Sequence, residues 1–114
     1  MRTAALQRNG AVLIPRVERV TRLRERMQGL LGKDGLPSGE ALWICPCSSI
    51  HTFFMRFSLD LLFLSRDCEI VRIVRDVPPG RMVHGGRRAH SVLELQAGWL
   101  RTSAAAVGER VEWV

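Results

Sequence analysis

The stretch LDLLFL, residues 59–64, constrains the fold more than any other part of this chain. It is an almost unbroken apolar run. The turn-forming SRDC follows directly, and then EIVRIVRDV, which alternates between apolar and polar positions. A run, a turn and an alternating partner predict a β-hairpin whose first strand is largely buried. Shorter segments repeat the theme. AVLIPRV (11–17) predicts a strand ending at Pro15, and ALWIC (41–45) a strand that Pro46 stops or places at an edge. SVLELQ (91–96) and RVEWV (110–114) predict two more.

One segment reads differently. In RVERVTRLRERMQGLLG, Val17, Val20, Leu23, Met27, Leu30 and Leu31 recur at helical spacing. Arginine and glutamate fill the gaps, Glu18 and Arg22 stand one turn apart, and Gly29 and Gly32 provide an end. This predicts an N-terminal amphipathic helix with one basic face. AGWLRTSAAAVGE predicts a short C-terminal helical turn. KDGLPSGE and PPGRMVHGGRRAH predict loops. The expected class is α+β, mainly β: a compact sheet or small barrel of short, mostly antiparallel strands in a single domain spanning 1–114.

A chain of 114 residues can bury roughly 65% of its unfolded surface, enough for one core. Three cysteines are an odd number, unlike the even framework of a small secreted protein. The start carries no apolar stretch of signal-peptide length, and no segment approaches a membrane span. A soluble, cytoplasmic monomer is expected. The net charge of +6 is almost entirely arginine, with Lys33 the only lysine. Such a balance admits nucleic acid or another anion as partner, but a GC-rich genome also enriches arginine.

Three constellations could carry chemistry. In CPCSSIHTFFM, Cys45, Cys47, His51 and Met55 offer soft ligands suited to Cu(I) or, in part, Zn(II). The second paired set of a usual zinc site is missing, and burial as soft hydrophobes is the simpler account. Asp60 and Glu94 each interrupt an apolar run, and a buried carboxylate needs a partner, which His51 or an arginine could supply. The loop Pro78–His90 gathers Arg81, His84, Arg87, Arg88 and His90 around Gly85 and Gly86. Glycine amides and arginine forks can hold an anion, although this is neither a P-loop nor a dinucleotide fingerprint.

The segments RMQGLLGKDGLPSGEALWI, IHTFFMRFSLDLLFLSRDCEIV and VLELQAGWLRTSAAAVGERV resemble, in this order, the domain-of-unknown-function 192 family, a group of small bacterial and archaeal domains. The resemblance covers about residues 20–113. It implies a compact, mainly β domain with one N-terminal helix, and it brings no established activity. Relatives often sit behind a leader or membrane anchor. Ser58 replaces the usual proline, and the histidine of IHTFFM departs from the commoner pattern. Cys68 stands where relatives often carry a turn glycine, a position that would be costly for cysteine if the backbone is left-handed.

The resulting expectation is a non-catalytic ligand-binding or accessory domain with a polar pocket near His51, Thr52, Asp60 and Glu94. Arg81, Arg87 and Arg88 are further candidate ligand contacts. Soft-metal binding through Cys45, Cys47, His51 and Met55 is one alternative. Nucleic-acid or anion binding through the basic helix face and the 81–90 loop is another, less favoured. No cofactor is expected, and no nucleophile–base–orienter set reaches motif grade.

Overall fold

The computed structural model describes residues 2–20, 35–100 and 105–114. Seven strands form one sheet: β1 (Arg2–Leu6), β2 (Val12–Val20), β3 (Glu40–Ile44), β5 (Leu59–Leu64), β6 (Ile70–Val77), β8 (Ser91–Gln96) and β9 (Val111–Trp113). Their spatial order is β6-β5-β8-β3-β2-β1-β9. All pairs are antiparallel except β2–β3, which is parallel. Two short strands, β4 (Ser49–His51) and β7 (Met82–His84), form a separate antiparallel pair.

The sheet curls until its two edges meet. Glu69 bridges Arg110, the Ile70 amide donates to the Glu109 carbonyl at 2.7 Å, and the Val111 amide donates to the Cys68 carbonyl at 2.9 Å. The result is a small barrel-like shell, which blunts the exposed-edge problem of an open sheet. Its interior draws side chains from all seven strands, among them Ala4, Ile14, Ala41, Leu62, Ile70, Leu93 and Val111. A second core lies outside the shell, where Leu59, Leu61, Phe63, Val92 and Ile44 meet Ile50, Met55, Phe57 and Val83. Strand β5 sits between the two cores, so all six of its residues are buried. That is the physical origin of its nearly continuous apolar run.

The strands β5, β6, β8 and β9 fall within the expected segments, but the helices do not appear. The described residues are all-β. Residues 17–20, expected as the first turn of a helix, are the end of β2, where Val17 is buried and pairs with Ala41 and with Arg2. β-branched Val17 and Val20 suit a strand at least as well as a helix, and two neighbouring strands decide the matter. The rest of the expected helix, from residue 21, lies outside the described residues. Residues 97–100 form a turn rather than a helix, and 101–104 also lie outside the described residues.

Pro15 does not end β2, as the sequence suggests. The β1–β2 register jumps from Ala4↔Ile14 to Arg2↔Val17, which leaves Pro15 in a bulge where no ladder donor is needed. Thr3 Oγ1 donates to the Pro15 carbonyl at 2.9 Å. Parallel pairing to β3 starts one residue later, at Arg16.

Candidate functional site

Asp60 is fully buried at the start of β5. Opposite it, the β5–β6 register shifts between Leu59↔Val77 and Leu61↔Val74, so β6 carries an extra residue there. Asp76, at φ 55°, is part of that bulge, and its amide donates to Asp60 Oδ1 at 2.9 Å. Asp60 Oδ2 accepts the Gly98 amide at 3.1 Å and the Leu100 amide at 3.0 Å. A carboxylate that accepts backbone amides from two separate segments is a brace. It satisfies donors that the bulge and the turn after β8 would otherwise leave buried and unpaired.

Glu94 is equally buried, but it faces the other way. In the β5–β8 register, Asp60 stands opposite Leu95 and Glu94 opposite Leu61. Leu95 packs inside the shell and Leu61 in the outer core. The two carboxylates therefore lie on opposite faces of the sheet. His51 is on neither strand; it belongs to β4, in the small pair.

Thr52 is fully buried and acts as a second brace. Its hydroxyl donates to the Pro78 carbonyl at 2.7 Å and accepts the Arg81 amide at 2.9 Å. Its own amide donates to the Arg81 carbonyl at 2.8 Å, and its carbonyl accepts the Gly80 amide at 3.0 Å. The PPGR corner is thus tied to the strand that carries His51.

The expected loop 78–90 contains β7 and is tightly bonded after it. Gly85 is buried, and its amide donates to the Ser48 carbonyl at 2.8 Å. A Cβ on Gly85 would meet the Phe63 ring and come within 2.6 Å of Ala89 Cβ, so the glycine is there for close packing. The Gly86 amide donates to His84 Nδ1 at 3.2 Å. Both glycine amides are occupied internally and do not form an anion cradle. Arg81 and Arg87 are exposed, and Arg88 pairs with Glu69 at 3.0 Å.

The expected metal ligands are spread apart by the local fold. Cys45 is buried at the end of β3, Met55 is in the outer core, and Cys47 Sγ donates to the Ser49 carbonyl at 3.1 Å. The extended path that would put them on one face is interrupted by the turn Thr52–Met55. Among the described residues, no group of three or more His, Cys, Asp or Glu side chains is placed to hold a metal ion. Cys47 and His90 do share the lining of a shallow cavity of about 290 Å³, with Pro46, Ser48 and Ala89.

The feature that sequence reasoning missed is a surface strip. The pairs Ser49↔His84 and His51↔Met82 flank the inward pair Ile50↔Val83. Ile50 is buried, whereas Ser49, Met82 and His84 are exposed and His51 is half-buried, so the outer face of the small sheet reads Ser49, His51, Met82, His84. Phe53 continues it, its ring stacked on His51 with centroids 5.1 Å apart and planes 23° from parallel. Phe54 follows, 86% exposed at φ 66°. The Met55 amide donates to the Thr52 carbonyl at 3.3 Å, so Phe54 is the third residue of a turn that favours glycine or asparagine there. Residues 41–59 and 77–93, which build this layer, contain no aspartate or glutamate. The missed signal was the pairing of SIH (49–51) with MVH (82–84), two segments far apart in the chain.

The sequence profile of DUF192, "Uncharacterized ACR", matches residues 4–113, nearly the whole length. The chain belongs to the DUF192 family. Two archaeal relatives are similar over part of its length. The UPF0127 protein PF1050 of Pyrococcus furiosus is 32% identical over 66 residues, which cover 58% of this chain and 56% of the relative. The UPF0127 protein PYRAB11210 of Pyrococcus abyssi is 31% identical over 67 residues, covering 59% of this chain and again 56% of the relative. The matched stretch thus spans little more than half of each relative. Two solved structures share the DUF192 fold almost end to end. A protein from Sinorhizobium meliloti described as a "putative transcription regulator" superposes with a TM-score of 0.82 at 21% identity, covering 98% of this chain and 92% of that one. A protein of unknown function from Novosphingobium aromaticivorans gives 0.80 at 18% identity, covering 97% and 84%. At these identities the likeness establishes the fold alone. No helix among the described residues is long and apolar enough to cross a membrane.

Proposed function

We propose that this DUF192 domain is a non-catalytic binding module and that the outer face of β4–β7, with Phe53 and Phe54, is its contact surface. The observation that carries the reading is Phe54. A phenylalanine at φ 66° costs about 1 kcal/mol or more against glycine. With 86% of its surface in water, it recovers almost none of that by packing. A residue that is both strained and apolar in water, on a corner bonded as firmly as Thr52–Arg81, is explained by something it touches. The buried candidates support the same division of labour: Asp60 and Thr52 hold backbone, and the surface strip is left to make contacts. A regulatory role, of the kind named for the Sinorhizobium meliloti neighbour, is compatible with a module that binds without catalysing.

Site-specific photo-crosslinking in the native host tests this. A photoreactive residue at position 54 is expected to give a discrete adduct, and one at Val107, another exposed apolar residue (62%), is not. Identical patterns at the two positions would overturn the reading.

A further inference from the structure

We infer that the strip binds a single-stranded nucleic acid, with bases against Phe53, Phe54 and His51 and phosphates against Arg81 and Arg87. This deepens the contact-surface reading above and rests on it. Three observations favour this occupant. First, the strip presents flat rings in sequence along one edge: Phe54 almost fully exposed, Phe53 40% exposed, and His51 stacked upon Phe53. Ring faces of this kind accept any base, because every base has a π-face. Second, exposed arginines stand at both ends. Arg81 precedes Met82 at the Phe53 end, and Arg87 follows His84 at the other. A strip bracketed by guanidinium groups suits a strand with a repeating negative charge. Third, residues 41–59 and 77–93 contribute no carboxylate to this layer, and Arg81 and Arg87 are exposed on it.

The strip is also the wrong shape for a duplex. It is a short ribbon of two three-residue strands, with nothing long enough to enter a groove. A few unpaired nucleotides match its length of roughly 10 Å per strand.

The test is fluorescence anisotropy with the full chain and labelled mixed-sequence 12-mers of DNA and of RNA, titrated at low and high salt. Two further arms use vesicles of phosphatidylcholine with phosphatidylglycerol, and a glutamate-rich peptide containing phenylalanine. The expected result is binding to one or both single strands, weaker binding to the corresponding duplex, and steep loss with salt. Phe54→Ser is expected to weaken binding about 5- to 100-fold, the loss of one stacked base. Arg81→Ser is expected to lower the slope of log affinity against log salt by about 0.7. Val107→Ser is the control and should change neither. Because Phe54 and Arg81 are exposed, circular dichroism should show both variants folded. Absence of binding at low salt overturns the inference, as does binding that both variants leave unchanged. Phe54-dependent binding to vesicles or to the acidic peptide alone also overturns it, while leaving the contact-surface reading in place. If the photo-crosslinking at position 54 fails too, both readings fall.

Discussion

Asp60 and Glu94, equally buried on adjacent strands, point to opposite faces of one sheet, Asp60 beside Leu95 and Glu94 beside Leu61. Asp60 therefore acts alone, as the acceptor for the amides of Asp76, Gly98 and Leu100. Removing its carboxylate leaves those donors without an acceptor in the interior, each at a cost of about 1 kcal/mol or more. Asp60→Ala is expected to lose about 3 kcal/mol or more in urea unfolding. Asp60→Asn, with one oxygen left for three donors, should lose about 2 kcal/mol. A loss below about 1 kcal/mol for Asp60→Ala would show that the brace is not needed.

Much of this β architecture is legible in the sequence because strand periodicity is local. LDLLFL is continuous because β5 lies between two cores, and SVLELQ gives β8 with its bounds. The face of a buried carboxylate is not local. It depends on register, and a shift of one residue moves a side chain to the other side. The bulge that frees the Asp76 amide leaves no clear mark in RIVRDV, so Asp60 reads as a pocket residue until the β5–β6 pairing is known. Val17 and Val20 misled for a related reason: a spacing of three fits one face of a helix, but in β2 it puts Val17 in the barrel interior and Val20 against the outer core, on opposite faces of the strand. The surface strip stayed hidden because SIH and MVH meet only through β4–β7 pairing, with Phe53 and Phe54 following β4.

Gly85 is the tightest point of the loop before β8. Its missing Cβ leaves room for the Phe63 ring and Ala89, and its backbone is not in the left-handed region. Gly85→Ala should therefore destabilise by overpacking, by about 2 kcal/mol. Gly86 is the contrasting case, at φ 97° with open space around it. Gly86→Ala is expected to cost about 1 kcal/mol, through backbone strain alone. If Phe63→Leu restores part of the loss in Gly85→Ala and none in Gly86→Ala, the two mechanisms are separated. Equal rescue would contradict the assignment.

Cys68 occupies the left-handed position of the β5–β6 hairpin at φ 60°. Its amide closes the turn on the Ser65 carbonyl at 3.0 Å, and the Ser65 hydroxyl accepts the Glu69 amide at 3.2 Å. This geometry favours glycine at the fourth place. Cys68→Gly is expected to stabilise the protein by about 1 kcal/mol, read as a raised melting temperature. Phe54→Gly removes the same kind of strain and should stabilise by a similar amount, while abolishing the contact made by its ring. A lowered melting temperature in both variants would show that the two backbones are not strained as described.

Thr52 links the fixed part of the molecule to the strip. Its hydroxyl joins the Pro78 carbonyl and the Arg81 amide, and its backbone pairs with Gly80 and Arg81. Thr52→Val keeps the shape and removes only the hydroxyl, so the Arg81 amide loses its acceptor and the Pro78 carbonyl its donor. The expected cost is about 1–3 kcal/mol, concentrated at the PPGR corner and not spread through the barrel. Hydrogen exchange distinguishes these outcomes. The Arg81 amide should exchange at least about tenfold faster, equivalent to about 1.4 kcal/mol of local opening, while the amides of β5 and β8 shift only with global stability. Uniformly faster exchange across all strands would mean that Thr52 contributes to the core in general and does not hold Arg81 beside Met82. A local effect would place the positioning of the strip's arginine on a single hydroxyl.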